Sequence, residues 1–295
     1  MSIVDRKYFQ LCVNVVSEGY QYADRSRDGV GMTQIDSHVL DIPIAANRAP
    51  ILTMKKLNWR WVAHELIWML SGADHIKYLQ DNGVTIWDQD VQDFCNRRNF
   101  AATDYAGKVY GVQWRHWQNR VDQILTLIEG MKNEPMSRRH IVTAWNPSDK
   151  HEMCLPPCHW SFEVIMRPKP GEPGKYCFTL KWHQRSVDVF LGLPFDIALY
   201  GFLGKVLEAH TGATFDRLIG DLSNIHMYEP HKSAMSELLT RDTIMYDQPL
   251  FTLSQAPKDL VNLSINDFYV EDYKHQGYIK APLITKSYES NSTNS

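Results

Sequence analysis

The chain has 295 residues, 44% of them hydrophobic and 12% aromatic, which is enough to build a large core in one compact body with an inserted subregion. Its formal net charge of −3 excludes an overall positive field that would hold a nucleic-acid backbone, but not a small anion bound by a few local arginines. The five scattered cysteines, Cys12, Cys95, Cys154, Cys158 and Cys177, argue against a secreted disulfide framework, and no stretch reaches the roughly 18 apolar residues of a bilayer span, so a soluble cytoplasmic protein is expected.

In chain order, Tyr8, Leu11, Cys12, Val15 and Val16 fall at helical spacing and Gly19 closes the pattern. The polar loop at 24–31 then presents Arg25 and Arg27. Trp59 to Ser71 reads as a strongly apolar helix ending at Gly72, with Glu65 in its interior. Flanked by Val62, Leu66, Trp68 and Met69, Glu65 is either desolvated, with a raised pKa suited to moving protons, or turned onto an exposed stripe. Residues 90–108, rich in Asn, Asp and Arg, read as an irregular excursion from the main body. A helix is expected at about 121–132, a turn at 134–139 and a strand at 140–145.

A second strand is expected at 158–166, and the loop at 168–174, rich in proline and glycine, links it to a third at 176–183. The run 184–196 (Q-R-S-V-D-V-F-L-G-L-P-F-D) leads into a helix expected at 196–210, which Asp196 could cap. Residues 223–228 read as strand running into another helix, and 285–295, rich in Ser, Thr and Asn, as a disordered tail. Mixed strands and helices without an internal repeat give an α+β class.

Two features carry chemistry. Leu155-Pro156-Pro157-Cys158-His159 places a thiol after two φ-restricted residues at the entrance to a strand, which fixes its direction. The alternative is a buried cysteine acting as a small hydrophobe. No second Cys or His pair accompanies Cys154, Cys158 and His159 at ligand spacing, so no metal is expected. Arg25, Arg138, Arg139 and Arg185 supply planar guanidiniums suited to phosphate, and the Ser186 hydroxyl completes such a site.

The blocks Asp24-Arg25, His64-Glu65-Leu66-Ile67-Trp68, Val84-Thr85-Ile86-Trp87-Asp88, Val109-Tyr110-Gly111-Val112-Gln113-Trp114-Arg115, Ser137-Arg138-Arg139, Leu155-Pro156-Pro157-Cys158-His159, the run 184–195, His226-Met227-Tyr228 and Ile279-Lys280-Ala281-Pro282 follow one another along nearly the whole chain. In these blocks, and in their order, the sequence resembles thymidylate synthases and their pyrimidine hydroxymethylase relatives. The resemblance implies a thymidylate synthase-like α+β fold, with a large mixed sheet flanked by helices and lying at a homodimer interface. It implies one catalytic domain over 1–284, varied at 90–108, before the tail at 285–295. Cys158 becomes the nucleophile that attacks C6 of a pyrimidine nucleotide, with Glu65, Tyr110, His159 and Asp196 as the other catalytic residues. Arg25, Gln184, Arg185 and Ser186 bind the nucleotide, Arg138 and Arg139 reach its phosphate from the partner subunit, and His226 and Tyr228 bind the deoxyribose hydroxyl. Lys55, Trp87, Asp188, Leu191, Gly192 and Phe195 face the co-substrate, 5,10-methylenetetrahydrofolate.

The chemistry suits these residue types. C5 of a pyrimidine is a poor nucleophile until a thiolate adds at C6 and makes an enamine, and clustered arginines favour the thiolate. After one-carbon transfer, hydride leaves a methyl group at C5 and water leaves a hydroxymethyl group. Thymidylate synthases carry asparagine where this chain has Asp196. An ionised carboxylate only accepts hydrogen bonds, so it repels O4 of uracil but takes the N4 amino group of cytosine and shares a proton with N3. Aspartate there resembles the deoxycytidylate hydroxymethylases of viruses that modify their DNA bases. Asp90 stands where the synthases often have tryptophan, and the chain continues past Pro282; both point to a wetter site and to water rather than hydride. Hydroxymethylation of dCMP is therefore expected. A reductive dCMP methylase, a dUMP-directed enzyme and a catalytically silent nucleotide-binding or virion-structural relative are the alternatives.

Overall fold

A computed structural model describes residues 2–24, 29–101, 104–241, 246–254 and 260–284. Helix α1 (Ile3–Glu18) opens on Ser2, whose hydroxyl accepts the Asp5 N–H, and it buries Tyr8, Leu11, Cys12 and Val15. It stops at Gly19, where a Cβ would lie 2.4 Å from Val15 O, so β1 (Tyr20–Asp24) can leave at once and pair with β2 (Val30–Pro43). Helices α2 (Trp59–Ser71), α3 (Lys77–Asp81), α4 (Asp88–Arg98), α5 (Tyr110–Arg115) and α6 (Gln123–Asn133) precede strands β3 (Ile141–Thr143), β4 (His159–Pro168), β5 (Tyr176–Gln184) and β6 (Val187–Asp188). Helix α7 (Gly192–Thr211), strand β7 (Thr214–Tyr228), helix α8 (Lys232–Thr240) and a small ribbon of β8 (Leu250–Leu253) and β9 (Phe268–Glu271) follow.

The large sheet runs in the order β1-β2-β7-β5-β4-β3, with β6 also pairing with β7. Strands β5 and β6 lie parallel to β7 and the other pairs are antiparallel. This is the large mixed sheet flanked by helices that the α+β reading expects. Helix α7 is buried nearly all round, as an apolar helix must be when it lies between a sheet and further helices. The Tyr200 ring stacks on Trp182 of β5 at 5.3 Å and 10°, and α2 packs against α7 as well. On the opposite sheet face Val39, Ile141, Trp160 and Ile165 are exposed. Among them a charged cluster joins Glu163, Lys181, His183 and Asp221 across β4, β5 and β7.

Several expectations are corrected. The stretch at 90–108 is not irregular throughout, because α4 runs to Arg98 and buries Val91, Phe94 and Cys95. Those three residues sit at helical spacing inside a polar sequence whose other face meets water. Asp196 does not cap its helix. The helix begins at Gly192, because the apolar Leu193-Pro194-Phe195 turn is itself helical and proline is tolerated in a first turn. Residues 110–115, to which the sequence assigned no element, form a helix, and β7 begins at Thr214, well before 223, with inward and outward residues alternating along much of it. The tail at 285–295 lies outside the described residues.

Gly220 faces Trp182 across the parallel β5–β7 pair, and a Cβ there would lie 2.5 Å from the indole. Gly220→Ala is expected to cost roughly 1–3 kcal/mol of stability by overpacking. A lower urea midpoint at an unchanged slope would register it; an unmoved midpoint would disprove the contact.

Candidate active site

Cys158 closes the Pro156-Pro157 turn one residue before β4, and its loop is held from both sides. Its N–H donates to the Tyr110 hydroxyl at 2.8 Å, and its carbonyl accepts the Arg185 N–H at 2.9 Å. The Arg185 guanidinium donates through Nε to Pro157 O at 2.9 Å and through Nη2 to Pro156 O at 2.8 Å. Two φ-restricted residues with both carbonyls pinned leave the thiol little freedom of direction.

Two cavities, each of about 500 Å³, share Cys158, Leu155, Ser186, His226 and Tyr228 in their walls. Their charges differ. The first is completed by Arg185, Lys150, Trp145, Gln34, Asn224 and Tyr22, and no carboxylate is among its described lining residues. The second contains Glu65, Asp90, Asp188 and Asp196, with Lys55 and Lys56 and an apolar wall of Trp61, Leu191, Phe195 and Ile279.

The structure decides between the two readings of Glu65: α2 turns it inward, and it is buried. Trp87 Nε1 donates to Glu65 Oε1 at 2.7 Å, while burial pushes the carboxyl up to about 7. Asp196 lies in the second turn of α7. Its Oδ2 accepts from Gln184 Nε2 at 2.8 Å, and the Gln184 amide is oriented by Trp182 Nε1, which donates to Gln184 Oε1 at 3.0 Å. Burial pushes the Asp196 carboxyl up to about 7, against the pull of the Gln184 bond and helped by the charges of Glu65 and Asp188.

Asp188 takes the opposite course. Burial pushes it up, but His231, His226 and the Leu191 N–H overbalance that and hold it below the usual carboxylate range. Its Oδ1 accepts the Phe190 and Leu191 N–H groups at 2.9 and 3.2 Å. Two carboxylates of one short run thus differ in charge near neutral pH. His159 stacks on Tyr110 at 4.2 Å and bonds the Tyr200 hydroxyl through Nδ1 at 2.9 Å. Burial pushes its pKa down to about 3, so it is a neutral wall rather than an acid. Its Nε2 stands 3.9 Å from Asp196 Oδ1, beyond a hydrogen bond.

Leu191, Gly192, Phe195, Asp188 and Lys55 line the second cavity, whereas Trp87, Tyr110, His159 and Gln184 stand behind the wall and fix the residues that face inward. The Lys55 ammonium donates to Phe190 O and lies 4.0 Å over the Phe190 ring, and burial pushes it down to about 8. His226 Nδ1 bonds Asn224 O at 2.8 Å, which leaves Nε2 the acceptor of the neutral ring. Arg138 and Arg139 do not join Cys158 within one chain; they line a separate cavity of about 620 Å³ with Glu134 and Tyr176. Arg25 lies outside the described residues.

The sequence reading missed Gln34, Trp145, Lys150 and Asn224. Asn224 has φ 50° inside β7, a left-handed conformation that asparagine tolerates better than most residues. Its side chain donates to Arg185 O at 2.8 Å and accepts from Gln34 Nε2 at 3.3 Å. No local pattern announces this relay, because its members come from β2, β7 and the β5–β6 turn.

The sequence profile for thymidylate synthase matches residues 6–285, which include both cavities and every element around them. The chain belongs to the thymidylate synthase family. Membership in the thymidylate synthase family implies a one-carbon transferase that acts on a nucleotide and uses methylenetetrahydrofolate as co-substrate. Family members are typically dimeric. The second cavity fits such a co-substrate, because its apolar wall suits a fused heteroaromatic ring and the exposed Lys56 suits an anionic tail. Among the described residues no His, Cys, Asp or Glu cluster is arranged to hold a metal, and no helix is long and apolar enough to cross a membrane.

Proposed function

We propose that the protein hydroxymethylates dCMP at C5, using 5,10-methylenetetrahydrofolate as the one-carbon donor. The observation that carries this reading is Asp196 with its Oδ2 held by Gln184. That oxygen is committed as an acceptor, so the proton carried below about pH 7 resides on the other oxygen. A proton there can be shared with N3 of cytosine, while the carboxyl oxygens take the N4 amino group. Uracil offers neither an amino donor nor a bare N3.

Cys158 adds to C6, with its backbone fixed by Tyr110 and Arg185. The proton shared by Asp196 stabilises charge developing on the ring. His226 and Tyr228, in the wall common to both cavities, bind the deoxyribose hydroxyl, and Arg185 and Ser186 face the phosphate. Glu65 takes and returns protons next to C5. Water completes the reaction in a chamber lined by Glu65, Asp90, Asp188 and Asp196, a setting that solvates an attacking water well. The exposed Val39, Ile141, Trp160 and Ile165 on one face of the large sheet support a homodimer packed there, and the placement of Arg138 and Arg139 in a cavity without Cys158 supports their donation to the partner's phosphate site.

Incubation with dCMP or dUMP and methylenetetrahydrofolate, followed by the product mass and an assay for dihydrofolate, tests the reading. A hydroxymethylated dCMP without dihydrofolate is expected; dihydrofolate would show that hydride, not water, finished the reaction.

The pH dependence follows from the two carboxyls near 7. The Glu65 charge raises Asp196, and burial brings both carboxyls near 7, so they titrate over one pH range. The active form carries one proton on the pair, with Glu65 ionised as base and Asp196 protonated. A bell-shaped kcat/KM profile centred near 7 is therefore expected. Glu65→Gln should remove its acid limb and lower turnover by about 10²–10⁴-fold. An acid limb surviving in that variant would assign it to another group.

A further inference from the structure

We propose that Lys150 is a substrate phosphate ligand, clamped together with Arg185 on the Trp145 indole. The proposal rests on the nucleotide reading of the site and adds a residue to it. Lys150 opens a single 3-10 turn (Lys150–Glu152) upstream of Cys158. Its Nζ lies 5.8 Å from the Trp145 ring centre, and the Arg185 guanidinium lies 5.5 Å from the same ring. An indole face attracts cations and restrains them without neutralising them.

The neighbouring carboxylates are engaged elsewhere. Asp149 pairs with Lys108 at 3.1 Å and also accepts from Gln113 and Asn146. Glu152 pairs with the same Lys108 at 3.1 Å. Among the described residues no carboxylate pairs with Lys150, although acidic side chains lie one position before it and two after. Lys108 thus holds away the two anions that would otherwise quench Lys150.

Lys150 and Arg185 line the cavity whose described walls lack a carboxylate, while four carboxylates line the adjoining one. A dianion at the Arg185 and Ser186 end would replace the missing counter-charge of both cations. The base, bound by Asp196, would project into the acidic chamber. This division of charge orients a nucleoside monophosphate across Cys158 and penalises a nucleoside that lacks the phosphate.

The test compares wild type with Lys150→Gln and Lys150→Arg by calorimetric titration of dCMP, dUMP, deoxycytidine and inorganic phosphate, alongside steady-state kinetics on whichever nucleotide is turned over. Lys150→Gln should weaken the bound nucleotide and inorganic phosphate by the same factor, about 10-fold. It should leave kcat within about 2-fold, because phosphate binding is uniform between ground and transition states. Deoxycytidine binding should not change, and Lys150→Arg should restore most of the loss. Unchanged phosphate affinity in Lys150→Gln, or an equal loss for deoxycytidine, would overturn the proposal. If wild type binds phosphate through Lys150 but prefers dUMP, the cytosine reading fails and the Lys150 assignment stands.

Discussion

Cys158→Ala is expected to abolish tritium release from C5 of labelled dCMP, with a fall of at least about 10⁴-fold. Exchange at C5 requires the enamine that only addition at C6 creates, so the assay reports the nucleophile directly and does not depend on whether water or hydride follows. The substitution should spare the fold, because backbone groups of Pro156, Pro157 and Cys158 hold the loop. Nucleotide affinity, measured by calorimetry, should therefore stay within a few-fold of wild type. Cys154 supplies the control. It is buried, and burial drives its thiol far above the usual range, so Cys154→Ala should retain exchange. Release persisting in Cys158→Ala, or vanishing in Cys154→Ala at unchanged stability, would refute the assignment.

Asp196→Asn should move preference from dCMP toward dUMP, changing the ratio of kcat/KM by about 10²–10⁴. Gln184 makes the direction specific. Its Nε2 would donate to the amide oxygen of the new side chain as it now donates to Oδ2, so the amide nitrogen would turn to the base as an obligate donor. That group suits O4 of uracil and opposes the N4 amino group of cytosine. Equal losses on both substrates would make Asp196 structural instead.

The same substitution has a stability signature. The folded-state pKa of Asp196 is raised from 3.8 to about 7, so folding binds its proton more tightly. The stability from that proton is fully present below about pH 4 and is lost as pH rises through 7. The amide has no proton to lose, so between pH 4 and 8 the variant should gain on wild type, by as much as roughly 4 kcal/mol. Parallel stability curves would show that Asp196 ionises freely in the fold.

Both effects meet in a side chain whose sequence context was misleading in one respect. The turn Leu191-Gly192-Leu193-Pro194-Phe195 looks like a loop before a capped helix, yet it is the helix's first turn. A cap would leave Asp196 partly solvated. One turn further in, its side chain is only 14% exposed, is held by Gln184 and feels the Glu65 charge. In the same way Glu65 was ambiguous, because an apolar helix with one acid in it does not say which side a second layer will cover.

Periodicity alone determined α1 and α2, which form where apolar spacing and a closing glycine agree, and alternation located β4 and β5. The ordered blocks from Asp24 to Pro282 carried the family, the nucleophile and the aspartate in place of asparagine, since each is a matter of residue identity along the chain. Only the tertiary structure decided which groups are charged and which share a chamber. It set Asp188 below and Asp196 above their ordinary values, placed Arg138 and Arg139 away from Cys158, and brought Lys150 and Arg185 to one indole. Helices and strands follow from contacts a few residues apart. Desolvation and charge pairing depend on neighbours from α2, β2, β5, β7 and α7, which converge only when the sheet is assembled.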